Sequence, residues 1–403
     1  MVDVQTRIEP IAIDVDEREP GPARRLRLLA FGLFVVHLAQ AVDYLFAAGL
    51  RTADAAIRSD PGRFYDIATR SGRAYVDFEV EYPVAFVALI KALAFGSFPT
   101  FVTGVIVMAF AGDVLIALVL RRSYGLRAEV WYLAVAIPML PVVLTRLDLL
   151  PTALALLALT LAHERRSERT AGFVLAVAAL IKVWPALLVL VFLATRRLRS
   201  VVTFTCAAAI GGGVWLVTAG PDALRQVLTF RGAQGWQIES LAGNVFVLLG
   251  DRAPRFAGGA WRVGDPPGAV SAALSVMGVA VAVVAALRLH GFREGATAGS
   301  VGATAVVIVG ATLLASTLLS PQFVVWLAPF VVVARGHVGG RVVASYVAAV
   351  TATVVITALW EPRELTASVP ALFVLARNGL LVATVVIALR SLRAPSPRRP
   401  MDS

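Results

Sequence analysis

The chain has 403 residues, 58% of them hydrophobic and 16% charged, with a mean hydropathy of +0.79. Soluble globular proteins carry about 25% charged residues, so this shortfall and the long apolar runs exclude an ordinary soluble domain and indicate a polytopic membrane protein. The formal net charge of +11 would point to nucleic acid in a soluble chain. Here the basic residues stand at the ends of apolar runs, which fits the positive-inside rule and anionic lipid headgroups instead, with no nucleic-acid partner. Lys91 and Lys182 are the only lysines, and the arginine bias with abundant Ala and Val points to a GC-rich bacterial genome. The single cysteine, Cys206, lies in an apolar run. No intramolecular disulfide is available, and a buried inert thiol is expected.

A bilayer core takes about 20 apolar helical residues to cross, and backbone groups in lipid must be satisfied internally. The expected fold is therefore all-α and polytopic, with about 12 transmembrane helices. A polar cytoplasmic tail (1–25) precedes the membrane unit (26–392), and a second cytoplasmic tail (393–403) follows it. Spans are expected over Leu26–Leu50, Phe101–Leu120, Val130–Thr145, Leu149–Ala162, Ala171–Ile181, Trp184–Thr195, Val201–Ala219, Gly268–Leu287, Ala296–Leu319, Phe323–Ala334, Val342–Trp360 and Ala371–Leu392. This path puts the arginine clusters at Arg24, Arg121, Arg165, Arg196, Arg288, Arg335 and Arg390 on one face, which the positive-inside rule makes cytoplasmic. It requires that Pro83–Phe98 not cross and instead lie in the interface or re-enter. Ala171–Ile181 and Trp184–Thr195 are short, and would thin the barrier beneath an external cavity. The other polar groups then collect outside, in a first loop with an interfacial helix (58–98), in short corners, and in a second large loop (220–267).

The first outer loop carries Asp60, Asp66, Asp77, Glu79 and Glu81 with Tyr65, Tyr75 and Tyr82. A carboxylate there could take the proton of an attacking hydroxyl, and the tyrosines could stack on a sugar or sit at headgroup level. A solvated loop with no further role is the plainer reading. Arg146 and Asp148 stand at a hairpin tip, either as an ion pair or as groups that hold and orient a lipid phosphate. Lys182, at the next tip, suits a phosphate as a point charge or snorkels to the interface. The stretch Arg231–Asn244 is expected as an interfacial helix bordering a cavity, and Ser320-Pro321-Gln322 before Trp326 as a helix start at the outer surface. His37, Gln40 and Asp43 share a helix face, which lines a groove or, in the better-supported reading, packs against neighbours. Asp113 and Arg377 fall inside spans as a candidate buried pair. No nucleotide-binding, zinc or nucleophile-elbow motif is present, so an activated donor must arrive pre-made.

Asp60 and Tyr65, followed by Tyr75-Val-Asp77-Phe-Glu79-Val-Glu81-Tyr82-Pro83, resemble the D…Y…YxDFxxEYPP signature of glycosyltransferase family 87. Arg146-Leu-Asp148-Leu-Leu-Pro151 is similar to that family's R-[FY]-D-xx-P hairpin, and Lys182-Val-Trp184-Pro185 to its K-x-[WY]-P. Arg231…Trp236-Gln237-Ile-Glu239-Ser240 and Ser320-Pro-Gln322…Trp326 are similar to actinobacterial members. The resemblance implies a GT-C fold, a polyprenyl-phosphate sugar donor (mannose in the best-known members), a glycolipid or glycan acceptor and an inverting, extracytoplasmic site in the bacterial plasma membrane. It assigns the base to Asp60. Val84 in place of the second proline, and the spacing of Asp60 from its tyrosine, depart from the signature and leave Asp66 and Asp77 as rivals. Donor phosphate falls to Arg146, Lys182 and Arg231, and sugar or acceptor contacts to Tyr65, Asp77, Glu81, Tyr82, Asp148, Gln237, Glu239 and Gln322. No cofactor is required, although acidic pairs such as Asp77 and Glu79 leave a divalent metal open. A transporter or flippase for lipid-linked saccharides is the alternative. It fits less well because the inner loops are short and basic and no repeat is visible.

Overall fold

The computed structural model describes residues 20–50, 60–229, 235–250, 253–257, 259–265, 268–292 and 295–392. Long apolar runs wind into helices because only an internal ladder satisfies backbone groups in lipid. They are α1 (Pro20–Leu50), α4 (Phe98–Tyr124), α5 (Leu126–Val143), α9 (Leu198–Ala219), α12 (Ala269–His290), α13 (Ala298–Ala315), α14 (Pro321–Val338), α15 (Gly340–Leu359) and α16 (Ser368–Ser391). Among the described residues these nine are long and apolar enough to cross a membrane.

The sequence predicts about 12 spans. The other three are helices in the expected places but are short: α6 (Leu149–His163), α7 (Glu168–Ile181) and α8 (Trp184–Ala194) have 15, 14 and 11 residues. At about 1.5 Å per residue they reach about 16–22 Å, against a hydrocarbon core of about 30 Å. Proline explains where α8 starts. Pro185 sits in its first turn, where a missing N–H costs nothing, and that turn tightens to 3-10 geometry over Trp184–Leu188. Two short helices lie in the first outer segment, α2 (Asp60–Thr69) and α3 (Val84–Leu93). The ten residues of α3 bury Phe86, Val87 and Ile90 and are too few to span, as expected for Pro83–Phe98.

The second outer segment departs from expectation. Residues 230–234 lie outside the described residues. The rest of the expected interfacial helix begins instead as strand β1 (Trp236–Gln237). With β2 (Arg255–Ala257) and β3 (Ala260–Val263) it makes an antiparallel sheet in the order β1-β3-β2. Helix α11 (Leu241–Leu248) starts only after Ser240, whose hydroxyl accepts from the Gly243 amide at 3.1 Å. The helix fails upstream because its amides find distant partners: Gln237 donates to the Thr317 carbonyl at 3.0 Å and Ile238 to that of Trp261 at 3.1 Å. Helix α10 (Pro221–Thr229) precedes this region.

Two buried polar clusters tie the bundle, and both differ from the expected Asp113–Arg377 pair. Asp113 of α4 meets His37 Nδ1 of α1 at 2.6 Å and accepts from the Tyr132 hydroxyl of α5 at 2.6 Å, while His37 Nε2 faces the Leu133 carbonyl at 2.9 Å. The packing reading of His37 therefore holds. Arg377 of α16 instead binds the Glu239 carboxylate at 2.7 Å and the Glu239 carbonyl at 2.6 Å, so the second outer segment is clamped onto the bundle. Cys206 is exposed on α9 and not buried, since only Ser200, Trp215 and Ala219 of that helix turn fully inward.

The helix ends remote from the outer segments are closed by basic side chains of neighbouring helices. His290 faces the Ala194 carbonyl at 2.8 Å, Arg288 donates to Leu389 at 2.8 Å, and His337 faces Ser391 at 3.1 Å. Side chains of this kind satisfy orphan carbonyls at helix C-termini, and the Arg288 charge also opposes the macrodipole.

Replacing Arg377 with Met should lower stability by about 3–5 kcal/mol, because the Glu239 carboxylate would stay buried without its partner. Thermal unfolding in detergent measures this, and an unchanged melting temperature would remove the clamp from the account. Gly172→Val should destabilise comparably. A Cβ at Gly172 would stand 2.2 Å from the Ser200 carbonyl oxygen of α9, and such overpacking costs about 1–3 kcal/mol or more.

Candidate active site

A cavity of about 510 Å³ opens where the short helices stop, within the range of about 300–1,000 Å³ usual for ligand sites. Asp148 precedes α6, Lys182 follows α7 and Trp184 begins α8, and all three line it. Its outer rim comes from Asp60 and Phe64 of α2 and from Glu81, Tyr82 and Phe86 around α3. Its inner wall is mainly apolar and comes from α12 and α13, with Gly278, Val279 and Leu313 beside the hydroxyl-bearing Ser275 and Thr312. A Cβ at Gly278 would sit 2.8 Å from that of Ala315, so glycine lets these two helices close up. The other side of α12 is exposed at Val276 and Met277, which places the cavity one helix away from lipid.

Every charged residue that lines the cavity is in an ion pair. Asp60 takes the first turn of α2, where the helix dipole favours a carboxylate, and it is bound by Nε of Arg146. Arg146 also donates through Nη1 to the Val142 carbonyl at 2.6 Å. Burial alone would lower the Arg146 guanidinium, but Asp60, then Asp148 and Tyr82, hold it above its ordinary value, so it stays charged. Asp148 pairs with Lys182 and accepts from Trp326 Nε1 at 2.7 Å. Glu81 takes a two-point contact from Arg63, at 2.8 and 3.3 Å.

Aromatic rings surround the lysine. Lys182 Nζ lies 4.9 Å from the Trp326 ring centre and 5.0 Å from that of Phe323, within cation–π range. Trp326 stacks on Trp184 at 5.1 Å and on Phe323 at 4.3 Å. Gln322 also lines the cavity, and its buried Oε1 has no hydrogen-bond partner, nor does the buried Nε1 of Trp184.

The loop between α2 and α3 is held from outside the site. Gln226 of α10 accepts from the Val80 amide at 3.0 Å and donates to the Tyr75 carbonyl at 2.8 Å. Burial, with Glu81 nearby, pushes the Tyr75 hydroxyl far above its usual range, so it stays neutral and donates to the Tyr82 carbonyl at 2.6 Å. Tyr75 holds a φ of 70°, a left-handed conformation rare outside glycine. Tyr82 itself stacks on Phe86 at 4.2 Å.

Of the residues singled out from sequence, Asp60, Glu81, Tyr82, Arg146, Asp148, Lys182 and Gln322 converge on the cavity. The others lie elsewhere. Asp66 pairs with Arg70 at 2.7 Å, and Asp77 accepts from the Arg73 amide at 2.6 Å, closing a turn. Tyr65 packs edge-on against Phe98. Gln237 donates to the Ser320 hydroxyl at 3.1 Å and accepts from the Leu319 amide at 2.6 Å. Burial pushes the Glu239 carboxyl up, against the pull of Arg377 and Arg146. Arg231 lies outside the described residues. Among the described residues, no group of three or more His, Cys, Asp or Glu is gathered as for a metal ion, and Asp77 is engaged in its turn. Sequence reasoning missed Arg63, Gln226 and the α12–α13 wall. Only Trp184 and Trp326, inside recognisable motifs, carried a signal.

One cavity thus offers three carboxylates, two cations that Asp60 and Asp148 hold in place, an aromatic floor and a mainly apolar wall, which suits an amphiphile whose anionic head exchanges with those carboxylates. No curated protein matches the chain in sequence. Among solved structures, the crystal structure of ArnT from Cupriavidus metallidurans in the apo state is similar over 90% of this chain and 77% of its own, at 16% identity and a TM-score of 0.40. The sequence profile of glycosyltransferase family 87 matches residues 81–321, from Glu81 through the Arg146, Asp148 and Lys182 corners to the start of α14, and the chain belongs to that family of membrane glycosyltransferases.

Proposed function

We propose that the protein moves a sugar from a polyprenyl-phosphate donor, mannose by family resemblance, to a glycolipid or glycan hydroxyl on the extracytoplasmic face, with inversion at the anomeric carbon. The observation that carries the reading is the pair of salt bridges, Asp60–Arg146 and Asp148–Lys182, facing one cavity whose far wall is mainly apolar. The basic helix ends opposite the cavity support an extracytoplasmic site with both termini inside.

The donor phosphate competes with the carboxylates for Arg146 and Lys182. While Arg146 holds Asp60, that carboxylate is a weak base, because an adjacent cation stabilises its ionised form. When Arg146 turns to the phosphate, Asp60 is released to accept a proton. The acceptor hydroxyl then attacks C1 and its proton passes to Asp60. The bond from C1 to the phosphate oxygen breaks, and its electron pair leaves on the polyprenyl phosphate. Arg146 and Lys182 offset the charge that grows there. A single displacement inverts C1. Glu81, Tyr82 and Gln322, which line the cavity, would bind sugar hydroxyls, and the α12–α13 wall would take the isoprenoid tail.

Asp60→Asn should cut sugar transfer by about 10²-fold or more, the usual weight of a general base, a loss beyond any drop in melting temperature from leaving Arg146 without its carboxylate. Purified protein with labelled polyprenyl-phosphate mannose and mixed lipid acceptors provides the assay, and undiminished transfer would move the base elsewhere. Lys182→Met should act mainly through the donor, raising its KM about tenfold, the cost of one charge-assisted contact of about 1.5 kcal/mol. An unchanged donor KM would take Lys182 out of phosphate binding.

A further inference from the structure

A second cavity, of about 180 Å³, lies at the opposite end of the same short helices. Helix α6 runs from Asp148, at the main cavity, to His163, which lines the second. Helix α8 runs likewise from Trp184 to Thr195. The 15 residues of α6 separate the two by about 22 Å. The lining includes Arg165, Arg197, His163 and Thr195 over Val191 and Phe192, and the space holds several waters or one tetrahedral oxyanion.

Both helices end in the same way. Glu164 caps α6 and Thr195 caps α8, and the residue after each cap is an arginine, Arg165 or Arg196, with a φ of 56°. That position ordinarily falls to glycine, because a Cβ disfavours it. Each left-handed arginine is followed by another, Arg166 or Arg197. The two turns and their flanks, 163–170 and 195–200, hold six arginines and two glutamates. Glu164 is engaged by Arg166 at 2.7 Å, and Glu168 reaches Arg197 only at 3.5 Å. Arg165 has no acidic partner among the described residues.

Arg197 is the half-buried cation of this cavity. Its Nη2 reaches the His163 carbonyl at 3.4 Å, and its buried Nε has no hydrogen-bond partner. Burial, with Arg165 nearby, lowers this guanidinium, and Glu168 offsets the loss only in part. Two like charges thus converge on a polar space without enough negative charge to balance them. Leu193 and Leu198 flank the turn and are 46% and 63% exposed. On helices read as embedded in a bilayer, these exposed side chains would meet acyl chains, within a few residues of Thr195 and Arg197 in the cavity lining.

We propose that this cavity binds the phosphate group of an anionic membrane phospholipid, gripped by Arg165 and Arg197, with the acyl chains laid along Leu193 and Leu198. The assignment rests on membrane embedding alone and stands independently of the sugar-transfer reading.

The test uses the full chain, delipidated in detergent and offered equal amounts of phosphatidylglycerol and phosphatidylcholine, with retained lipid read by native mass spectrometry. The wild type should retain phosphatidylglycerol in about tenfold preference, and the double variant R165Q/R197Q should fall to near parity. Arg165→Gln alone, an exposed change that leaves the Glu168 contact intact, should lose a measurable part of the preference. Arg122→Gln, at the exposed end of α4, should lose none. A parallel titration with inorganic phosphate, read by melting temperature, separates the sources. Stabilisation by millimolar phosphate with no retained lipid would overturn the phospholipid assignment in favour of a free anion. An undiminished preference in the double variant, or an equal loss in Arg122→Gln, would overturn the site itself.

Discussion

Charge placed beside lipid must be paired, and nearly everything about this protein's cavity follows from how that demand is met. Helices α6, α7 and α8 are shorter than the bilayer, so their ends fall inside the membrane boundary and leave a depression. The residues at those ends, Asp148, Lys182 and the Arg146 just upstream, are largely shielded from solvent. Each is held by an opposite charge from another part of the chain. The pairs keep the hollow polar without leaving an isolated charge, which would cost several kcal/mol. The proposed lipid-borne donor would find cations already positioned and would exchange one partner for another.

The same exchange gives the cavity its internal logic. Asp60 reaches Arg146 from a different element, at the start of α2, and α2 is itself held through Arg63 and Glu81 and through the Gln226 bridge behind the loop. In the proposed reaction, the carboxylate that serves as base is therefore masked by the cation that would meet the leaving group. On that proposal, binding and activation would share the Asp60–Arg146 salt bridge. At the other end of α6 and α8, Arg165 and Arg197 converge with no comparable balance of carboxylates.

Much of the architecture was legible from residue patterns, because a membrane span has to be long, apolar and helical. The non-crossing Pro83–Phe98 segment and the shortness of the middle helices both follow from counting residues against bilayer thickness. The corners at Arg146, Asp148 and Lys182 were legible because ionisable groups beside apolar runs are conspicuous. Glu239 and Gln237 were conspicuous for the same reason, yet they serve the scaffold. Their partners, Arg377 and Ser320, lie far along the chain, and composition does not distinguish a buried clamp from a ligand contact. The small sheet through Trp236 and Trp261 escaped because its strands are only two to four residues long, too short for an alternating pattern.

By itself the sequence determined a helical membrane protein with clusters of arginine at one set of helix ends and a loop rich in carboxylates elsewhere, since both properties depend on local composition. It also narrowed the candidate base to the carboxylates of one loop. Only the tertiary structure decided which of them meets a cation in the cavity. Asp66 and Asp77 turn to neighbours four residues away, while Asp60 reaches across 86 residues to Arg146. Likewise Asp113 chose His37 and not Arg377. Pairing between distant charges depends on which helix ends are brought together, and that depends on the packing of the whole bundle, which no local pattern encodes.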